Sequence, residues 1–206
     1  MRQRPVAGRT GLLLAAGRGV RFDPTGHTDK LLAAIDDRPA VLRAFDALRA
    51  SVERVVAVVR PDARGARIAA LLQQAGGDVL ACPMADAGMG HSLACAAERI
   101  AALDPLPNVM VVALGDMPFL RTDTVARVAA AVDGPDGIAA PIFEGMRGHP
   151  VAFGTAHLPA LLRLSGDRGA SDLLRRHPVV LVEVADPGVL RDIDSPDDLA
   201  PSSADR

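Results

Sequence analysis

The sequence has few of the residues that mark several common classes of protein. It contains no tryptophan and no tyrosine, and its aromatic content is 2%, which leaves few side chains on which nucleic-acid bases could stack. Its two cysteines, Cys82 and Cys95, form no CxxC pair and no His/Cys cluster, so the sequence predicts neither a disulfide scaffold nor a zinc site. This cysteine usage is typical of a reducing compartment, and we expect the protein to be cytoplasmic.

Long apolar segments and an excess of one charge are also missing. Gly17 and Arg18 interrupt the first apolar run before it reaches the ~7–15 residues of a signal-peptide core. No stretch approaches the ~18–20 apolar residues of a transmembrane helix. The 23 basic and 25 acidic residues give a net charge of -2, which provides no field to hold a polyanion or an anionic bilayer. We therefore expect neither nucleic acid nor membrane as a partner.

What is present is ordinary globular composition. Hydrophobic residues make up 49% of the 206 residues and charged residues 23%, which is enough to build one buried core. We predict one domain over residues 1–200 and a frayed tail over residues 201–206.

Strand-length apolar runs alternate with stretches of helical periodicity. This alternation predicts an α/β fold made of βαβ units on a mostly parallel sheet. The predicted strands are 10–16, 54–59, 78–82, 108–114, 137–141, 150–153 and 179–184. The predicted helices are 39–51, 62–74, 90–102, 122–132, 158–164 and 169–176.

The unusual residues of the sequence follow predicted strands. In an open α/β sheet, ligands bind beyond the carboxyl ends of the strands. Residues 17–21, 115–118 and 192–194 stand at three such ends, and we expect them to meet at one site.

The first of these loops combines glycines with cations. Gly17 and Gly19 let backbone N–H groups approach phosphate oxygens, while Arg18, Arg21 and the later Lys30 supply positive charge. A triphosphate is the natural ligand of such a loop. An ordinary glycine-rich turn with solvated arginines is the plainer alternative. The loop matches neither a P-loop nor a dinucleotide fingerprint, because the positions that would need lysine and glycine hold other residues.

Two carboxylate sources could hold a metal ion. Asp116 stands at the end of the most apolar strand, where a buried charge needs a partner such as Mg²⁺. Asp194 could provide a second ligand, with Asp192 on the same side of an extended segment. The alternatives are a turn residue for Asp116 and a plain helix start, capped by Ser195, for the second segment.

Three further segments offer polar groups to substrates. Gly88 and Ser92 begin a helix, whose free N–H groups could receive an anion or a ribose. Arg147 and His149 lie in a predicted hairpin that leads into an antiparallel strand, and they could contact a second substrate, as could Asp167. A glycine-rich turn, a structural histidine and a simple link between two helices are the respective alternatives.

Together these segments resemble the MobA-like nucleotidyltransferase family, and within it the molybdenum cofactor cytidylyltransferases. The resemblance spans almost the whole chain in seven motifs in register. They are LAAGRGVR (14–21), KLL (30–32), GMGHSL (88–93), GDMP (115–118), RGHPV (147–151), GDRGA (166–170) and DIDSPDDL (192–199).

The resemblance implies a three-layer, doubly wound, Rossmann-like fold and a Mg²⁺-dependent nucleotidyltransferase. It implies that the first loop and Lys30 hold the NTP, that Asp116 and Asp194 hold Mg²⁺, and that a molybdopterin acceptor lies near Arg147–Pro150. Within the family, Ala-Ala-Gly in place of Ala-Gly-Gly implies CTP as donor. The expected nucleotide-binding residues are Ala15, Ala16, Gly17, Gly19, Gly88 and Ser92, and the expected acceptor-binding residues are Arg147, His149 and Asp167.

Two other functions fit the same sequence. One is a nucleotidyltransferase that acts on a sugar phosphate or an alcohol phosphate. The other is a non-catalytic maturation chaperone that carries the molybdenum cofactor to an apo-molybdoenzyme.

Overall fold

The computed structural model describes residues 8–19, 21–23 and 28–199, so the predicted tail lies outside the described residues. The strands are β1 Arg9–Ala15, β2 Ala34–Ile35, β3 Arg38–Pro39, β4 Arg54–Val59, β5 Asp78–Ala81, β6 Val109–Leu114, β7 Ile138–Phe143, β8 Met146–Arg147, β9 Val151–Gly154 and β10 Val180–Glu183. The helices are α1 Ala40–Arg49, α2 Ala63–Gln74, α3 Met89–Ala101, α4 Thr122–Ala130, α5 Leu158–Leu161 and α6 Ser171–Arg176. Short 3₁₀ turns occupy Ala85–Ala87, Thr155–His157, Pro187–Leu190 and Pro196–Leu199.

One large sheet organises these elements, with the strand order β10-β7-β9-β6-β1-β4-β5 and β8 paired to β7. β1 pairs in parallel with β4 and β6, whereas β9 runs antiparallel to both β6 and β7. The short β8 is also antiparallel. The mostly parallel α/β sheet predicted from the sequence is therefore confirmed, with β8 as an addition to the one predicted antiparallel strand.

Helices cover both faces of the sheet. Successive residues of β1 point to opposite faces: Leu13 packs with α1, α2 and α4, and Leu12 packs with α3, α5 and α6. Both leucines are fully buried. This arrangement confirms the three-layer architecture, and it leaves the ends of the strands as the edges at which a ligand can bind.

Local signals explain where the longer helices begin and end. Asp62 caps α2, because its carboxylate accepts a hydrogen bond from the N–H of Gly65 at 2.8 Å. Gly76, with φ +89°, ends the same helix, as the glycine pair predicted. The predicted start of α6 at Gly169 is wrong, because Gly169 adopts φ +52° and the helix begins at Ser171. Among the described residues, no helix is long and apolar enough to cross a bilayer.

Candidate active site

The loop that follows β1, here called the first loop (residues 16–23), is shaped by two glycines. No atom lies within 4 Å of the place where Gly17 would carry a β-carbon, so its backbone is open to a ligand. Gly19 adopts φ +65°, and its carbonyl accepts hydrogen bonds from the N–H groups of Phe22 (3.1 Å) and Asp23 (3.4 Å). The turn leaves the side chains of Arg18 and Arg21 exposed. Such a loop can receive an anion on backbone N–H groups and guanidinium groups.

Arg18 belongs to an ion-pair network that the sequence analysis missed. Arg18 Nε donates to Asp86 Oδ1 at 2.8 Å, and Arg60 Nη1 donates to the same oxygen at 2.7 Å. Arg60 also donates to Asp62 at 2.8 Å. Arg60 first, and then Arg18, lower the pKa of Asp86 to about 2. Because Arg60 directly follows β4, the rule that ligands lie beyond strand ends could have located it.

Arg64, in the first turn of α2, links the first loop to the turn that carries Lys30. Its Nε donates to Asp29 Oδ2 at 3.2 Å, and its Nη1 donates to the carbonyl of Arg18 at 3.4 Å. The other carboxylate oxygen of Asp29 accepts from the N–H of Leu31 at 2.9 Å. These contacts fix the turn that carries Lys30 against the first loop.

Lys30, the only lysine in the sequence, lies beneath the first loop. Its Nζ donates to Asp116 Oδ2 at 2.7 Å, to the carbonyl of Ile193 at 2.9 Å and to Asp194 Oδ1 at 3.4 Å. The side chain is 10% exposed. An ammonium has three N–H groups, so protein acceptors take all of them. The predicted contact of Lys30 with phosphate would require one of these bonds to be released.

The two predicted metal ligands meet at this ammonium. Asp116 lies two residues after the end of β6 at Leu114. Asp194 also forms a 2.6 Å ion pair with Arg21 Nη1. Among the described residues, no group of three or more His, Cys, Asp or Glu side chains could hold a metal ion. Mg²⁺, however, is commonly held by one or two carboxylates together with substrate phosphates. The two carboxylates therefore suit a metal ion that arrives with a nucleotide.

Asp194 also adjoins a capped turn, as the plainer interpretation of this segment expected. Asp198 Oδ2 accepts hydrogen bonds from the N–H groups of Asp194 (3.0 Å) and Ser195 (2.7 Å) and from the Ser195 hydroxyl (2.8 Å). The segment around Asp192 is not a strand. Partial burial and then the charge of Asp194 raise the pKa of Asp192. The cap and the carboxylate cluster thus coexist.

A cavity of about 410 Å³ opens beside the first loop. Of the predicted nucleotide-binding residues, Ala16, Gly17, Gly88 and Ser92 line it, together with Arg18 and Asp116. A second cavity of about 340 Å³ shares Gly17, Arg18 and Asp116 with the first and reaches Gly19, Lys30 and Asp194. The two cavities form one cleft at the carboxyl edge of the sheet. Ala15 lies below the cleft, in the core, at 1% exposure.

Glycines bring the start of α3 close to a second turn and so form the far wall of the cleft. The N–H of Gly90 donates to the carbonyl of Gly166 at 2.8 Å, and a β-carbon on Gly90 would lie 2.5 Å from the carbonyl oxygen of Ser165. Gly88 adopts φ +116°. Asp167, at the same turn, lines the larger cavity.

The three residues predicted to bind the acceptor differ in their surroundings. Asp167 faces the cavity with Gly88 and Ser92, whereas Arg147 is exposed on β8. The Nδ1 atom of His149 is buried and has no hydrogen-bond partner among the described residues. Burial lowers the pKa of His149, although the charge of Asp116 acts in the opposite direction. His149 is thus close enough to both Asp116 and Arg147 for their charges to act on its ring.

Comparison with known proteins defines the family. Residues 11–180 match the family model of the MobA-like NTP transferase domain. The chain belongs to the MobA-like NTP transferase family. It is therefore a nucleotidyltransferase, as predicted. This MobA-like chain is 27% identical over 196 residues to the purine catabolism protein PucB of Bacillus subtilis, and the match covers 91% of this chain and 92% of PucB.

Two further proteins are similar to this MobA-like chain. The molybdenum cofactor guanylyltransferase of Rhizobium johnstonii is 41% identical over 91 residues, which is 41% of each chain. The crystal structure of Rv0371c from Mycobacterium tuberculosis has a TM-score of 0.77 at 30% identity and covers 93% of this chain and 96% of that one. A second structure of Rv0371c is a complex with manganese, with a TM-score of 0.72, the same identity and the same shares covered.

Proposed function

We propose that the protein transfers CMP from CTP to molybdopterin in the molybdenum cofactor and releases pyrophosphate. One observation carries the proposal: a single cleft joins the glycine and arginine loop, the start of α3 and the two carboxylates. A nucleoside triphosphate and its metal ion need these groups, and need them close enough together for one bound nucleotide to contact them all.

The choice of CTP rests on Ala16. Ala16 lines the larger cavity, and at this position the resemblance associates a glycine with the GTP-using branch. An added methyl group takes space that a purine needs more than a pyrimidine does. The partial match to a guanylyltransferase makes GTP the competing donor to test.

The reaction we propose is an in-line displacement. The terminal phosphate of the acceptor attacks the α-phosphorus of CTP, the new P–O bond forms, and pyrophosphate leaves as the α–β bond breaks. Arg18, Arg21 and the N–H groups of the first loop hold the triphosphate, so the protein contributes position and charge rather than a covalent nucleophile. Mg²⁺ on Asp116 and Asp194 would supply charge stabilisation to the phosphates. The manganese complex of Rv0371c supports a divalent ion in this family.

Molybdopterin as acceptor is supported by the relative that acts on the molybdenum cofactor. Asp167 in the cleft and His149 beside Asp116 are the groups we assign to this side. Arg147, exposed on β8, acts electrostatically on His149, and we assign it to the same side.

The deciding experiment is a pyrophosphate-release assay with each of the four NTPs, Mg²⁺ and three acceptors: molybdopterin, a sugar phosphate and an alcohol phosphate. We expect turnover with CTP and molybdopterin. A clear preference for GTP would overturn the base assignment, and turnover only with another acceptor would overturn molybdopterin. Binding without turnover in every combination would favour the non-catalytic chaperone.

A further inference from the structure

His91, near the start of α3, has one ring nitrogen with two neighbours that make opposite demands on it. The N–H of Gly166 donates to His91 Nδ1 at 3.2 Å, and the carbonyl oxygen of Ala87 lies 3.1 Å from the same nitrogen. A lone pair on Nδ1 accepts from Gly166 but repels the Ala87 oxygen, whereas a proton on Nδ1 is donated to Ala87 but faces the N–H of Gly166. The protonation of Nδ1 therefore decides which of the two contacts is a hydrogen bond.

The contact with Gly166 is half of a clamp on the turn of residues 165–169, here called the wall turn. Consecutive residues of α3 hold both polar backbone groups of Gly166. The N–H of Gly90 donates to the Gly166 carbonyl at 2.8 Å, and His91 Nδ1 receives the Gly166 N–H. One of these two hydrogen bonds runs through a titratable side chain, so the hold of α3 on the wall turn depends on a proton.

The wall turn carries Asp167 into the cleft. Asp167 lines the larger cavity with Gly88 and Ser92, and a β-carbon on Gly88 would lie 2.4 Å from Asp167 Oδ1. Asp167 directly follows Gly166 in the chain. A hydrogen bond made or lost at the Gly166 N–H therefore changes how firmly the carboxylate of Asp167 is held against the start of α3.

Other ionisable groups lie on the elements around the His91 ring. They are Asp86 of the turn Ala85–Ala87, Arg163 after α5, Asp167 and Arg168 of the wall turn, Asp172 of α6, and the thiols of Cys82 and Cys95. Asp86 pairs with Arg18, Asp172 pairs with Arg168, and Cys82 Sγ donates to the carbonyl of His91 at 3.7 Å. Among the described residues, none of these side chains takes part in the hydrogen bonds between α3 and Gly166.

We propose that His91 is a positioning residue for Asp167 whose hold on the wall turn is set by pH. With Nδ1 unprotonated, His91 accepts from Gly166 and keeps the wall turn on α3. When a proton from water adds to Nδ1, the ring donates to the carbonyl of Ala87 and the N–H of Gly166 loses its acceptor. Because Asp167 is assigned to the acceptor side, the effect on acceptor binding rests on the proposed function, whereas the exchange of hydrogen bonds needs no substrate.

The first test is an NMR titration of substrate-free protein labelled with ¹⁵N. A histidine changes charge between about pH 5 and pH 8. At the upper end we expect the His91 proton on Nε2, with Nδ1 accepting a hydrogen bond. At the lower end we expect both nitrogens protonated, and the hydrogen-exchange protection of the Gly166 amide to fall by about fivefold or more, which is the usual weight of one hydrogen bond. A proton on Nδ1 of the neutral ring, or protection of Gly166 that ignores the charge of His91, would overturn the proposal.

The second test compares variants in the same titration. The side-chain amide of His91→Asn can accept from Gly166 and donate to Ala87 at once, and it does not titrate, so Gly166 should stay protected at both ends. His91→Leu has no acceptor and should leave Gly166 unprotected at both ends. His177→Asn is the matched control, because His177 is exposed and its ring contacts His157; it should behave as the wild type. If His91→Leu does not fold, the first pair decides, since an equal pH dependence in His91→Asn and the wild type would overturn the proposal.

The third test measures CMP transfer over the same pH range. We expect KM for the acceptor to rise about fivefold or more in the wild type relative to His91→Asn as the pH falls, with kcat changing equally in both. The ratio of the two KM values cancels the titration of the substrate phosphates. A ratio that does not change with pH would overturn the effect on Asp167. Failure of CMP transfer in every protein would overturn the proposed function instead, and the NMR titrations would still decide the exchange of hydrogen bonds.

Discussion

The nucleotide side of the cleft and the acceptor side are assembled in different ways. On the nucleotide side, the end of β1, the end of β6 and the start of α3 bring glycines, Arg18 and the carboxylate of Asp116 around one cavity. On the acceptor side, Arg147 is exposed on a hairpin, His149 is half-buried with its Nδ1 atom enclosed, and Asp167 lies across the cavity. A triphosphate needs backbone N–H groups and charges, which short motifs supply. A particular acceptor is recognised by side-chain directions, which only tertiary packing decides.

The largest effect should come from Asp116, the residue that both sides share. We expect Asp116→Asn to lower kcat by ~10²-fold or more, about 2.7 kcal/mol, while the affinity for CTP changes only a few-fold. Asn keeps the shape of Asp and loses its charge. Steady-state kinetics with calorimetric CTP titration measure both. The control is Asp123→Asn, which alters an exposed ion pair with Arg121 and should leave kcat unchanged. A normal kcat in Asp116→Asn would show that Asp116 is only a turn residue.

The next effect should appear at the far wall of the nucleotide side. Gly90→Ala forces the turn at Ser165 to move, and we expect a loss of ~1–3 kcal/mol in the free energy of unfolding, as for other overpacked sites. The affinity for CTP should fall about tenfold with it. Urea denaturation and calorimetry are the measurements. Gly17→Ala has open space around it and should unfold like the wild type, within ~0.5 kcal/mol. Unchanged stability in Gly90→Ala would mean that the wall adjusts freely.

A smaller effect, dependent on pH, would show whether His149 lies behind Asp116 or on an open acceptor surface. Burial lowers the pKa of His149 below 6.5 in the folded protein. As the pH falls through 6.5, the unfolded chain takes up a proton that the buried ring does not, so the free energy of unfolding decreases toward lower pH. The slope from this group is at most ~1.4 kcal/mol per pH unit. We expect His149→Gln to show a shallower decrease between pH 6.5 and 5 in urea denaturation. Parallel curves would place the ring in water.

The smallest effect should follow loss of Arg60, which stands behind Arg18. Arg60→Gln removes one of the two partners of Asp86 and leaves Arg18 in contact with it. The Arg60 side chain is 16% exposed, but its partner Asp86 is 55% exposed. Ion pairs with such an exposed partner contribute little, so we expect KM for CTP to rise about two- to fivefold with kcat unchanged. Arg99→Gln breaks an ion pair of the same kind with Asp78, away from the cleft, and is the control. An equal rise in both variants would mean that Arg60 has no part in holding Arg18.

Much of the fold could be predicted because the burial of a strand or helix shows in the hydrophobic period of its own segment. The apolar run at residues 54–59 became β4 with the predicted bounds, since a six-residue run closed by charged residues fits a fully buried strand. The strands β2, β3 and β8 have two residues each and are too short to show a period. The predicted helix 158–164 ends earlier, at Leu161.

The candidate site likewise has features that the sequence predicts and features that depend on tertiary packing. The strand-end rule located Asp116, because the position of a residue after a parallel strand depends on topology alone. Asp194 does not follow a strand directly, since β10 ends at Glu183, and its place beside Asp116 depends on how the segment after the turn Pro187–Leu190 packs. The partners of Lys30 are 86 to 164 residues away, and no local pattern states which of them its ammonium will meet. The burial of His149 could not be predicted for the same reason, because it depends on how the hairpin of β8 packs next to β6.

The backward strand β9 has a consequence for how the chain is made. Among the described strands, β9 alone joins the part of the sheet that ends with β6 to the part that begins with β7. As a chain leaves the ribosome amino end first, β1, β4, β5 and β6 can pair before Val151–Gly154 has been synthesised, while β7 has no neighbour in that part to join. Asp116 emerges with the early part, and Ile193 and Asp194 come almost last. We therefore expect the ammonium of Lys30 in a nascent chain to be buried beside Asp116 first. Its other two N–H groups gain their acceptors only when the segment that carries Ile193 and Asp194 has folded.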